Sequence, residues 1–81
     1  PFNPKTIINY QSAAGGSMFN FVSLKVYDAI GHEVAILVNE TKSAGNYEVT
    51  FDGSNYPSGV YLYRLEIDGN IADSKRMVLL K

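Results

Sequence analysis

Large apolar side chains occupy every second position in two stretches of this chain, and turn-forming residues separate them. In the first, Tyr47, Val49 and Phe51 point one way while Glu48 and Thr50 point the other. In the second, Tyr61, Tyr63, Leu65 and Ile67 share a face. A period of two is the signature of a strand with one buried side. Asp52-Gly53 and Ser58-Gly59 mark sharp turns between the two stretches. Upstream, the β-branched stretch Thr6 to Tyr10 predicts a first short strand. Phe19 to Tyr27 predicts the longest one, with Val22, Leu24 and Val26 opposite Ser23 and Lys25. Phe19 and Phe21 are out of phase with that apolar face. Either a bulge resets the register or the second face is partly covered.

The segment Asp28 to His32 reads as a hairpin connection with Gly31 at positive φ. Val34 to Val38 then returns as a strand, and Asn39 to Gly45 reads as a polar loop. Asp68-Gly69-Asn70 is a tight hairpin turn leading into a last strand, Ile71 to Leu80. The apolar run Met77-Val78-Leu79-Leu80 fits a strand buried on both faces better than an exposed edge. Pro1 to Pro4 is extended and non-helical because each proline fixes its own φ and restricts its predecessor. Ala13 to Ser17 is small and glycine-containing, hence a loop. No stretch holds helical periodicity for three turns. The expectation is an entry linker over residues 1–5 and, over 6–81, an all-β, immunoglobulin-like antiparallel sandwich of six to seven short strands.

Composition narrows the function more by exclusion than by suggestion. Eighty-one residues make one domain, near the lower limit for folding without staples, and there is no cysteine to supply a disulfide or thiolate metal site. The net charge of −1 is scattered, with no basic stripe to neutralise phosphates, so nucleic-acid binding is not expected. No apolar run approaches the ~18 residues of a membrane-spanning helix. The chain opens on Pro1 without a signal-peptide pattern and reads as a processed domain of something longer, ending at Lys81.

Candidate chemistry is sparse. His32, the one histidine, sits in a turn with no second histidine or cysteine to complete a metal site, and reads as a solvated turn residue. Asp52-Gly53-Ser54-Asn55 has a calcium-loop flavour but lacks the ligand spacing and closing glutamate of an EF-hand. An Asx turn, with the Asp52 carboxylate accepting from nearby backbone amides, accounts for it. Tyr47, Tyr61 and Tyr63 lie on core faces, burying the ring and sending the hydroxyl to an edge. Tyr27 and Tyr56 are better surface candidates, and two aromatics do not define a site. Asn39-Glu40-Thr41 fits the N-glycosylation pattern, a short motif that chance alone also produces. Neither paired carboxylates, nor a Ser or Cys beside a His, nor G-x-S-x-G occurs. Catalysis and a cofactor are not expected.

Four segments taken in order carry a family resemblance. They are Asn3-Pro4-x-Thr6; Leu24-Lys25-Val26-Tyr27-Asp28-x-x-Gly31-x-Glu33-Val34; Ala44-Gly45-x-Tyr47-x-Val49-x-Phe51-Asp52-Gly53 with Ser58-Gly59-Val60-Tyr61-x-Tyr63-Arg64-Leu65; and Lys75-Arg76-Met77. Together they resemble the C-terminal sorting domain of type IX (Por) secretion cargo from the Bacteroidetes and related bacteria. The resemblance implies a non-catalytic signal that follows a larger cargo protein. The cargo crosses the periplasm, and the domain is recognised by an outer-membrane translocon. A sortase-like peptidase then removes it in many members, at or upstream of Pro1, attaching the cargo to an anionic lipopolysaccharide at the cell surface. Gly31, Gly45, Gly53 and Gly59 correspond to the family's turn glycines, serving backbone geometry. Lys75, Arg76, Met77, Val78, Leu79, Leu80 and Lys81 correspond to the terminal segment needed for secretion, which would dock by adding to a partner's sheet edge. Gly15 to Phe21 is longer and more aromatic than the usual family connection.

Two other classes share parts of this pattern. The flagellar hook-capping protein carries an immunoglobulin-like assembly module with similar D-x-x-G and G-x-Y wording, though without a basic-apolar terminal strand. A sugar-binding accessory module requires an exposed aromatic row. Edge strands also allow a dimer.

Overall fold

The computed structural model describes residues 5–12 and 19–80, which form six strands. They are β1 (Lys5–Ser12), β2 (Phe19–Asp28), β3 (Glu33–Ser43), β4 (Gly45–Asp52), β5 (Gly59–Ile67) and β6 (Asn70–Leu79). The small sheet pairs β1 with β4, and the larger runs β3-β2-β5-β6, all antiparallel. In immunoglobulin terms these are B with E, and C′-C-F-G. The expected all-β sandwich is what the chain forms.

The core lies between the sheets and is built from the alternating positions. Ile8, Tyr10 and Phe51 of the small sheet face Val22, Leu24, Val26, Val38, Tyr61, Tyr63, Leu65, Ile67 and Leu79 of the larger. Tyr61 supplies a further immunoglobulin hallmark. Near the start of β5 its ring is buried, and its hydroxyl donates to the Pro57 carbonyl at 2.7 Å, four residues back. This is a tyrosine corner, pinning the β4–β5 connection to the core. Tyr47 works similarly at the other crossing between sheets, stacking on Tyr10 at 5.5 Å and donating to the Ser43 carbonyl at 2.7 Å.

Several local expectations are corrected. Asn39 to Gly45 is not a loop: β3 runs on to Ser43, and Phe19 to Ser23 pair with Ser43 to Asn39. Its residues are polar because that end of the strand is largely exposed, and the ladder satisfies the backbone regardless of side chain. Phe19 and Phe21 are explained by neither a reset register nor a covering layer. Asn20, Val22, Leu24 and Val26 stay in phase and buried, leaving Phe19 61% and Phe21 46% exposed on the outer face. The bulges fall later and in β3, where pairing skips Leu37 and then Val34. Tyr56 is not a surface aromatic. It stacks on Phe51 at 5.5 Å, and its hydroxyl donates to the Val34 carbonyl at 3.0 Å. Finally, β6 is an edge strand, with Val78 63% and Leu80 69% exposed, so Met77 to Leu80 is not buried on both faces. Expectations for residues 1–4, 13–18 and Lys81 fall outside the described residues.

Candidate functional site

The terminal strand is held by a long ladder and little burial. From Asp73↔Leu65 to Leu79↔Gly59 its pairing with β5 is unbroken, and the one register shift skips Ala72 at its start. Side chains alternate across this ladder. Met77 and Leu79 turn toward the core, with Leu79 6% exposed, while Arg76 and Val78 stand on the outer face opposite Leu62 and Val60. Gly53 makes the room for Leu79. A Cβ built on Gly53 would lie 2.5 Å from Leu79 Cδ1 and 2.9 Å from Cδ2, so the buried glycine and the terminal leucine fit each other.

Of the residues singled out from the sequence, Lys75 to Leu80 thus fall on one edge, sharing a continuous exposed surface apart from Met77 and Leu79. Lys81 lies outside the described residues. Charge distinguishes this edge from its surroundings. Lys25 lies 3.5 Å from Glu33, Lys42 3.7 Å from Glu40 and Arg64 3.7 Å from Glu66. Lys75 and Arg76 have no carboxylate partner among the described residues. The four glycines do different things. Gly31 (φ 92°) closes the β2–β3 turn, where Asp28 Oδ1 accepts from the His32 amide at 2.8 Å and the Ile30 amide at 3.1 Å. Gly45 (φ 157°) and Gly59 (φ 158°) open β4 and β5. Gly53 has no positive φ and acts by the space it leaves.

Elsewhere the surface offers less. A shallow open cleft of about 350 Å3 lies between the Asp28–Gly31 turn and Leu62, Arg64 and Ser74, with the Arg64 guanidinium stacked 5.0 Å over the Tyr27 ring. On the outer face of β2, Phe19 and Phe21 are separated from Tyr27 by Ser23 and Lys25, so the aromatics form no row. Asp52 Oδ1 accepts from the Ser54 amide at 3.0 Å, the expected Asx turn. Among the described residues no three His, Cys, Asp or Glu side chains gather as metal ligands, and no helix is long and apolar enough to cross a membrane.

The sequence pattern missed that β6 is an edge, although a signal was present. Its middle carries Asp73, Lys75 and Arg76, charges on both faces, as suits a strand bordered by water. It also missed the Gly53–Leu79 fit, which joins residues distant in the chain and has no local signature.

Fold and surface define a class: a small immunoglobulin-like sandwich whose distinctive feature is the open edge of its terminal strand. The family model for the secretion system C-terminal sorting domain matches residues 1–80, and the chain belongs to that family, whose domains are sorting signals for type IX secretion. Membership makes it a cargo-linked C-terminal tail that interacts with the secretion system, bound for the cell surface or the extracellular space. No curated protein and no solved structure matches the chain.

Proposed function

We propose that this domain directs a larger cargo protein, carried N-terminal to it, through the outer-membrane type IX translocon, and that β6 is the element the translocon reads. The cargo transits the periplasm first, and a sortase-like peptidase removes the domain at or upstream of Pro1. The domain itself performs no catalysis. The observation that carries this reading is the seven-residue ladder Asp73–Leu79, regular and open on its far side. Such an edge offers unpaired backbone groups to an incoming strand.

Deleting the strand is a poor test, because it also removes buried Leu79 from the core. Exposed positions separate signal from stability. A reporter with an N-terminal export signal, fused to residues 1–81, should reach the surface or medium of a type IX-competent bacterium. The Val78→Asp/Leu80→Asp variant should remain periplasmic. Both positions are more than three-fifths exposed, so its unfolding free energy from urea titration should stay within about 0.5 kcal/mol of the parent for each substitution. Export of the stable double variant at the parent level would sink the reading.

A further inference from the structure

The two edges of the larger sheet are built differently. At β3 the ladder skips Leu37 and Val34, two bulges within five residues. Bulges twist an edge away from flat pairing and are a standard defence against strand addition. At β6 the one shift, which skips Ala72, lies near the start of the strand; from Asp73 to Leu79 the ladder contains none, and no proline interrupts it. What guards the stretch from Asp73 to Leu79 is charge alone. Lys75 lies on the core-side flank, opposite Tyr63, and Arg76 on the outer face, opposite Leu62, so one cation points each way. Both are exposed, and neither has a carboxylate partner among the described residues.

A charge guard is selective where a bulge is not. An incoming strand places its residues directly opposite those of β6, and like charges there repel while opposite charges attract. From this we infer that the β6 edge selects an acidic partner strand: two adjacent carboxylates against Arg76 and Lys75, flanked by aliphatic residues against Met77, Val78 and Leu79. In antiparallel order the complement is three aliphatic residues, two acids, a small polar residue, then a base facing Asp73. The unpaired backbone of the edge favours a polypeptide strand as occupant, since that ligand can pair with each outward-pointing amide and carbonyl in turn. This inference rests on the sorting reading for its biological partner but stands on the edge's own chemistry for its specificity.

The test uses the whole 81-residue chain, isotopically labelled, and two end-blocked peptides, Val-Val-Val-Glu-Glu-Ser-Lys and its charge-reversed twin Val-Val-Val-Lys-Lys-Ser-Glu. The acidic peptide should shift the backbone amide resonances of Asp73 to Leu79 and bind about tenfold or more tightly than the twin at low ionic strength. The gap should narrow sharply at about 1 M salt, where the screening length falls to about 3 Å. Lys75→Glu/Arg76→Glu should invert the ranking. Equal affinities, no shift along β6, shifts at β3 instead, or β6 shifts that follow protein dilution without peptide (a second copy occupying the edge) would each overturn the inference. The same double variant in the export assay separates the two readings. If the peptide ranking inverts while export is unchanged, β6 is not what the translocon reads and the acidic-strand specificity stands. If export is lost from a folded variant whose peptide ranking does not respond, the acidic-strand specificity fails and the sorting reading stands.

Discussion

Asp68 shows how much one side chain in a turn can organise. It sits at φ 52° between β5 and β6, and its amide donates to the Phe21 carbonyl at 2.9 Å. Its carboxylate accepts from the Phe21 amide at 2.9 Å and from Asn20 Nδ2 at 2.8 Å. These bonds, the Phe21 amide foremost, hold the carboxyl below its ordinary value of 3.8. A carboxylate lowered on folding stabilises the native state above its unfolded pKa, and that contribution disappears as pH falls through the lowered folded value. Stability should therefore drop on acidification below about pH 4, and Asp68→Asn should flatten that part of the profile. The asparagine tolerates positive φ. The Asn20 amide can flip to offer its buried Oδ1, which lacks a partner among the described residues, so both contacts survive near neutral pH. Urea titrations of both proteins from pH 2 to 7 measure this; parallel profiles would refute it. At Tyr61, removing only the hydroxyl with Tyr61→Phe leaves the Pro57 carbonyl without that donor. It should cost about 0.5–1.5 kcal/mol in urea unfolding with an unchanged m-value.

At the scale of elements, the terminal strand depends on a distant glycine. Gly53→Ala should force Leu79 from its site and cost about 1–3 kcal/mol. Leu79→Ala alone should cost about 2–5 kcal/mol by leaving a cavity. The double variant should be less destabilised than the sum, because the new methyl partly fills the space the leucine vacates, and a double-mutant cycle by urea denaturation measures the coupling. Strict additivity would mean that the two do not share the site. Strands with one buried face were legible in the sequence: Tyr47 to Phe51 and Tyr61 to Ile67 alternate because one side meets the core. The second half of β3 was not, since Asn39 to Ser43 face mainly water and carry the polarity that also marks loops. Nor was the position of β6. Met77 to Leu80 reads identically whether a neighbour covers it or not; the charges of Asp73, Lys75 and Arg76 point to an edge, but which strand borders which is set by long-range pairing. The residues of the candidate site were found by resemblance. Their arrangement along an unbulged, cationic stretch of an edge strand came only from the ladder.

The molecule as a whole is a thin slab, 44 × 25 × 16 Å along its principal axes, closed by a crossing of distant segments. β2 with β3 and β5 with β6 are hairpins of neighbours in sequence. The small sheet is the opposite case: Lys5 pairs with Asp52, more than half the chain away, and Ser12 with Gly45. That pairing has a consequence in time. Closing so long a loop costs entropy before any contact rewards it, so folding belongs to the slow, non-local regime of milliseconds to seconds. Stopped-flow refolding should fall in that range, and microsecond refolding would contradict it. A chain that folds this way must be complete through β6, whose Leu79 belongs to the core, before that core can close. The tail of a secreted protein therefore stays threadable for a window after synthesis, before it sets into a rigid, readable shape.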